Sequence, residues 1–183
     1  MAKKKTTHDP GGKVRLKVSA GIQSSAVFGG SNHEYRYQLI RTWDATKPSV
    51  LFVMMNPSVA DLEANDPTVG RCFAWAVHHG FGTLLVGNVF AYRATQRERL
   101  LEVTDPIGPD NDRHLVMMAR QAELIVFAYG QPHRTLLDRG PAVAQLIANT
   151  LKRPVHVLKL SKAGIPWHPL YLKRETVAIP WLA

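Results

Sequence analysis

Only one cysteine, Cys72, occurs in the 183 residues, so the chain can form neither an internal disulfide nor a cysteine-rich zinc site, and it suits reducing surroundings. Its neighbours Phe73, Trp75 and Val77 follow a helical pattern, which marks a buried structural thiol rather than a nucleophile. Long apolar runs are also missing. Stretches such as Val50 to Met55 fall far short of the ~20 residues that a membrane span requires, so no membrane partner is expected. Lys3-Lys4-Lys5 is followed by Thr6-Thr7-His8-Asp9-Pro10 instead of an apolar segment, and no signal peptide is read. The expected setting is cytoplasmic. Acidic residues are scarce, 14 against 23 lysines and arginines, and the resulting net charge of +9 points to a polyanionic or acidic partner such as nucleic acid or a nucleotide. No cofactor and no metal are expected.

What is present suffices for one domain. With 45% hydrophobic residues the chain can bury a sizeable core, assigned to 14–183, behind a basic tail, 1–13, that reads as disordered. Val14 to Val18 and Tyr35 to Trp43 are β-rich, and Gly29-Gly30-Ser31-Asn32 between them is turn chemistry, which predicts an N-terminal antiparallel element. Four short apolar runs follow: Ser49 to Met54, Thr83 to Val89, Leu124 to Tyr129 and Val155 to Leu160. Runs of this kind mark strands buried on both faces of a parallel sheet. Helical patterns separate them. One is opened by Asp66-Pro67 and runs through His79, one runs from Pro109 or Asp110 to about Ala122, and one reaches from Pro141 to Leu151. Strand and helix alternation predicts a three-layer α/β/α sandwich with a mainly parallel central sheet.

In such sheets ligands bind beyond the carboxyl ends of the strands. The segments found there are Asn56-Pro57-Ser58, Tyr92-Arg93-Ala94-Thr95, Gly130-Gln131-Pro132-His133, and Ser161 through His168-Pro169, and they are expected to line one cleft. Asp66 is most simply an N-cap. Asp61 has no evident capping duty, which makes it the candidate for a water-activating base. Arg71, one turn into its helix, can bind phosphate through its planar fork, and so can Arg93. Tyr92 is the candidate stacking surface, while Ser58 and His133 lie in site loops as substrate contacts. His78-His79 points two rings in different directions and makes a poor metal pair.

Tyr35-Arg36-Tyr37 with Leu39, Arg41 and Trp43, then Met55-Asn56-Pro57-Ser58, Asp61, Asp66-Pro67-Thr68, Arg71-Cys72, Asn88 through Thr95, and Asp105 through Pro109 with Asn111-Asp112, resemble the bacterial and phage family catalogued as domain of unknown function sixteen-forty-three. A second resemblance supplies chemistry. Phe52 to Pro57, "FVMMNP", and Asn88 to Thr95, "NVFAYRAT", are similar to motifs of the mismatch-specific branch of the uracil-DNA glycosylase superfamily, with His168-Pro169 in the place of its late His-Pro-Ser motif. Met54 stands where that branch has glycine, and Leu170-Tyr171 where it has Ser-Pro. The resemblance implies a uracil-DNA glycosylase-like fold in which Asn56 holds the attacking water, His168 stabilises the leaving base and Asn88 contacts substrate. The reading is a nucleobase- or nucleic-acid-directed hydrolase that cleaves an N-glycosidic bond. The alternatives are a non-catalytic nucleic-acid or nucleotide-binding module on the same fold, or a metal-assisted hydrolase using Asp61, Glu63 and Asp66.

Overall fold

The computed structural model describes residues 15–182, and the tail read as disordered lies outside them. The central strand is β4 (Ser49–Met54), and its uninterrupted apolar sequence has a direct cause. Successive side chains point to opposite faces, and both faces are covered. Leu51 and Val53 meet one core with side chains of α2 (Asn111–Gln121) and α3 (Arg139–Leu151), whereas Val50, Phe52 and Met54 meet another with α1 (Pro67–His78). Trp75 of α1, only 2% exposed, anchors the second core edge-on against Phe52.

Strand β6 (Thr83–Asn88) pairs parallel with β4, as does β7 (Leu124–Phe127) on its other side, and β8 (Val155–Val157) continues parallel beyond β7. The four apolar runs therefore do lie side by side and in one direction. They are not the whole sheet. A hairpin of β2 (Gln23–Gly29) and β3 (Tyr35–Thr42) adds antiparallel to β6, and β9 (Ile179–Leu182) adds antiparallel to β8, giving the order β2-β3-β6-β4-β7-β8-β9. Of six pairings three are parallel. The sheet is thus mixed, which corrects the mainly parallel sheet predicted above. The reason lies between Thr42 and Ser49: a link this short turns the chain back on itself, since a parallel connection needs a dozen or more residues. Strand β6 then inserts between β3 and β4, held at the turn by Trp43 and Asp44 N–H groups that donate to the Gly82 carbonyl.

Two short strands, β1 (Leu16–Lys17) and β5 (Ala64–Asn65), form a separate antiparallel pair at the edge of this hairpin. The buried guanidinium of Arg41, 0% exposed, ties that pair to the main sheet. It donates to Asn65 Oδ1 at 3.0 Å, Ser24 Oγ at 2.6 Å, the Ala64 carbonyl at 3.2 Å and the Asp61 carbonyl. A single side chain thus satisfies acceptors from three segments.

Helices α1, α2 and α3 match their predicted spans closely. Asp66 caps α1 by accepting from the Val69 N–H at 2.8 Å, and Pro67 opens its first turn, where a missing N–H costs nothing. On the opposite face α2 approaches the sheet at Gly87, where an added Cβ would stand 2.5 Å from Leu115 Cδ2 and the Leu115 and Met118 side chains would have to shift to make room for it. Cys72 is fully buried in the α1 core, and burial pushes its thiol well above the usual range. This is the inert packing thiol that its helical neighbours implied.

Candidate functional site

Beyond the carboxyl ends of β4, β6 and β7 lies a cleft of about 700 Å³, within the range of small-ligand sites. Its floor is built by the strand ends: Met54 and Met55 after β4, Asn88 closing β6, and Tyr129-Gly130 after β7. One wall is the start of α1, with Asp66, Thr68 and Val69. The other is the late loop carrying Ser161, Trp167, His168 and Tyr171. Gly130, at φ +71°, brings floor and wall together, since a Cβ there would lie 3.1 Å from His168 Cβ. Its N–H donates to the Pro166 carbonyl at 3.0 Å, which fixes the loop just ahead of His168.

Four of the residues singled out from sequence meet in this cleft: Asn56, Ser58, Asn88 and His168. Asn56 is half-buried, and its Nδ2 donates to the Ala94 carbonyl at 2.7 Å and the Pro57 carbonyl at 3.2 Å. The amide nitrogen is committed to backbone, so Oδ1 is the atom through which Asn56 can accept from a ligand or water. His168 accepts at Nδ1 from the Leu170 N–H at 3.4 Å, which leaves the proton of a neutral ring on Nε2. The ring also meets Tyr171 edge-on.

Five others lie elsewhere. Asp61 does not line the cleft; its carboxylate accepts from the Glu63 and Ala64 N–H groups and pairs with Arg15 at 2.7 Å. Burial pushes its pKa up, but those backbone donors and Arg15 outweigh it and hold the carboxyl below its usual value. Its duty is local: it folds the loop before β5. Tyr92 packs edge-on against Tyr35, and Arg93 donates to the His33 carbonyl while lying over the Phe28 ring, so both serve the β2–β3 hairpin. His133 caps a short 3₁₀ turn at Arg134–Leu136, and Arg71 is half-buried on α1 away from the cleft lining. Among the described residues, no group of three or more His, Cys, Asp or Glu is placed to hold a metal ion.

Two charged groups occupy the buried end: Arg36, which the sequence did not mark as a site residue, and Asp66, read first as an N-cap and otherwise only in the metal-assisted alternative. Arg36 of β3 is 2% exposed, lines the cleft, and donates through Nη1 to the Ala60 carbonyl at 2.7 Å. Burial lowers its pKa to about 10, partly offset by the nearby Asp66 carboxyl, so it remains a cation at neutral pH. Asp66 is 4% exposed, and burial raises its pKa despite the Val69 N–H and Arg36. A buried acid with a raised pKa beside a buried cation in a cleft is the environment of functional groups. The linkage has a definite sign. A carboxyl whose folded pKa exceeds its unfolded one binds protons more tightly when folded, so its contribution to stability falls as pH rises from the ordinary value, 3.8, through the folded one. Asp66→Asn keeps a good N-cap and removes the titration. It should be at least as stable as the parent at pH 7 and show a flatter stability profile above pH 3.8, read by urea unfolding across pH. A variant markedly less stable at pH 7 would contradict this.

Trp167 and Tyr171 were not singled out as site residues, yet both line the cleft, Tyr171 68% exposed at its mouth and Trp167 with Lys159 Nζ 4.0 Å over its ring. Their signal was proximity to His168-Pro169. Arg36 had a weaker one, because a cation inside a β-rich run reads as a solvated face.

The family model described as "Protein of unknown function (DUF1643)" matches residues 36–170. No curated protein and no solved structure matches the chain.

Proposed function

Since the chain belongs to this family of unknown function, we propose its activity from the cleft itself: hydrolysis of the N-glycosidic bond of a nucleobase-containing ligand. The observation that carries the reading is the convergence of Asn56, Asp66, Asn88 and His168 on one cleft of nucleoside scale at the carboxyl ends of the parallel strands. The likeness of "FVMMNP" and "NVFAYRAT" to uracil-DNA glycosylase motifs supports it, because these stretches end the adjacent strands β4 and β6. In this reading a water held by Asn56 Oδ1 attacks C1′. The C1′–N bond breaks with its electron pair going to the base, which leaves as an anion stabilised by a hydrogen bond from the neutral His168 ring and is then protonated by solvent, while Asp66, when ionised, takes the proton that the water releases. Asp66 thus assumes the role first assigned to Asp61, and its raised pKa makes it the better base. Tyr171 and Trp167 supply ring faces for the base.

The experiment is a screen of nucleosides, nucleoside monophosphates and base-modified oligonucleotides for free base by chromatography. Released base from at least one class is expected. One observation favours a second reading: Asp66 already spends one oxygen on the α1 cap. If ligands bind and none releases base, the chain is a nucleotide- or nucleic-acid-binding module using the same cleft.

A further inference from the structure

Three side chains that line the cleft hold a buried polar atom for which the described residues provide no hydrogen-bond partner: Arg36 Nε, Asn88 Nδ2 and Ser58 Oγ. Arg36 and Asn88 are each only 2% exposed. Arg36 has no carboxylate within ion-pair distance among the described residues, and its Nη1 contact to a neutral carbonyl fixes the guanidinium without neutralising it. A buried unmet donor and a desolvated, unpaired cation are each costly in a folded protein. Their placement together in a cleft makes sense if a ligand brings the missing acceptors and the missing negative charge. The neighbouring Asp66 carboxyl offsets part of that charge but forms no ion pair with Arg36, and one of its oxygens is taken by the α1 cap.

We propose that the buried end of the cleft is a phosphate subsite, in which Arg36, Ser58 and Asn88 donate to the oxygens of a phosphate monoester on the ligand. The three donors come from β3, from the loop after β4 and from the end of β6, and three directions suit a tetrahedral oxyanion better than a planar carboxylate. The nucleoside part of the inference rests on the function proposed above: the substrate class becomes a free nucleoside monophosphate, phosphate inward and base toward Tyr171. The anion site itself stands independently of that reading.

The test is calorimetric titration of the full chain with inorganic phosphate, chloride holding the ionic strength constant. Saturable one-to-one binding is expected, weakened about tenfold or more in Arg36→Gln and measurably in Ser58→Ala, and unchanged in Arg120→Gln, an exposed position on α2. Absence of saturation, or wild-type affinity in a folded Arg36→Gln, overturns the proposal. Should Arg36→Gln fail to fold, Arg36→Lys and Ser58→Ala decide it, because full affinity in both would leave the guanidinium and hydroxyl without a role. Acetate binding as tightly as phosphate would overturn the choice of oxyanion. A nucleoside monophosphate should displace phosphate where the nucleoside does not; displacement by oligonucleotides alone would overturn the free-nucleotide source. Arg36-dependent phosphate binding without any released base leaves the subsite standing and removes the hydrolase reading. Base release unaffected by Arg36→Gln, with no phosphate binding, does the reverse.

Discussion

Asn56→Ala should lower base release on the order of 10²-fold while changing ligand affinity little, because a group that positions water acts on the transition state more than on the bound ground state. The structure adds a reason for a large effect. Asn56 Nδ2 is pinned to the Ala94 and Pro57 carbonyls, so Oδ1 is held in one direction, and no neighbouring amide on the β4 loop can substitute for it. The measurement is kcat and KM on whichever substrate the screen identifies, with thermal unfolding recorded beside it, since the variant also loses the tie to Ala94. A well-folded variant that keeps full turnover would remove Asn56 from the mechanism.

Arg41→Ala should be the most damaging single change to stability, about 3–5 kcal/mol, because it strands several acceptors in a buried place at once. Native domains are stable by only about 5–15 kcal/mol in total, so a marginal or unfolded protein is an expected outcome. The loss should be larger than that of Ser24→Ala, which removes one of the same partners, and denaturant unfolding of both variants compares them. A cost for Arg41→Ala under about 1 kcal/mol would show that the β1–β5 pair is held by other means.

How much of this was legible in the residues differs by element. The four parallel strands and three helices were, because burial on both faces writes continuous apolar runs and amphipathic helices write a 3.6-residue period. Strand β2 was not. Its sequence, QSSAVFG, alternates between exposed and half-buried positions at the edge of the sheet and carries little apolar signal. Strand β9, IPWL, was missed for a different reason: Pro180 within it argues against a strand except at a sheet edge, which is where it lies. The mixed sheet follows from these edges, and the short Thr42–Ser49 link was the one clue to it.

The site divides along a similar line. Asn56, Ser58 and His168 were found by their place just after strands, a rule that depends only on topology, whereas Asn88, the last residue of β6, came from the glycosylase resemblance. Asp61, Tyr92, Arg93 and His133 satisfy the same rule and were drawn off by local duties: a loop clasp, an aromatic contact, a cation over a ring and a short cap. Sequence order could not separate the two groups, since the separation depends on which way each side chain leaves the loop. Asp66 met the opposite fate. Read as a cap, it is one, and the same burial that makes it a good cap lifts its pKa in the cleft.

The β3 hairpin, which carries Arg36 at the buried end of the cleft, and the late-loop wall, which carries His168, come from opposite ends of the described chain. The pocket is therefore a nonlocal object: no contiguous fragment that omits either the hairpin or the late loop contains it, and a growing polypeptide acquires it only once the last wall has emerged and docked. A ligand bound across it acts as a clasp on the entire topology. The free energy of binding is then returned as resistance to global unfolding, not to fraying of one loop, and the slowest-exchanging amides of the central strands are where that resistance is registered.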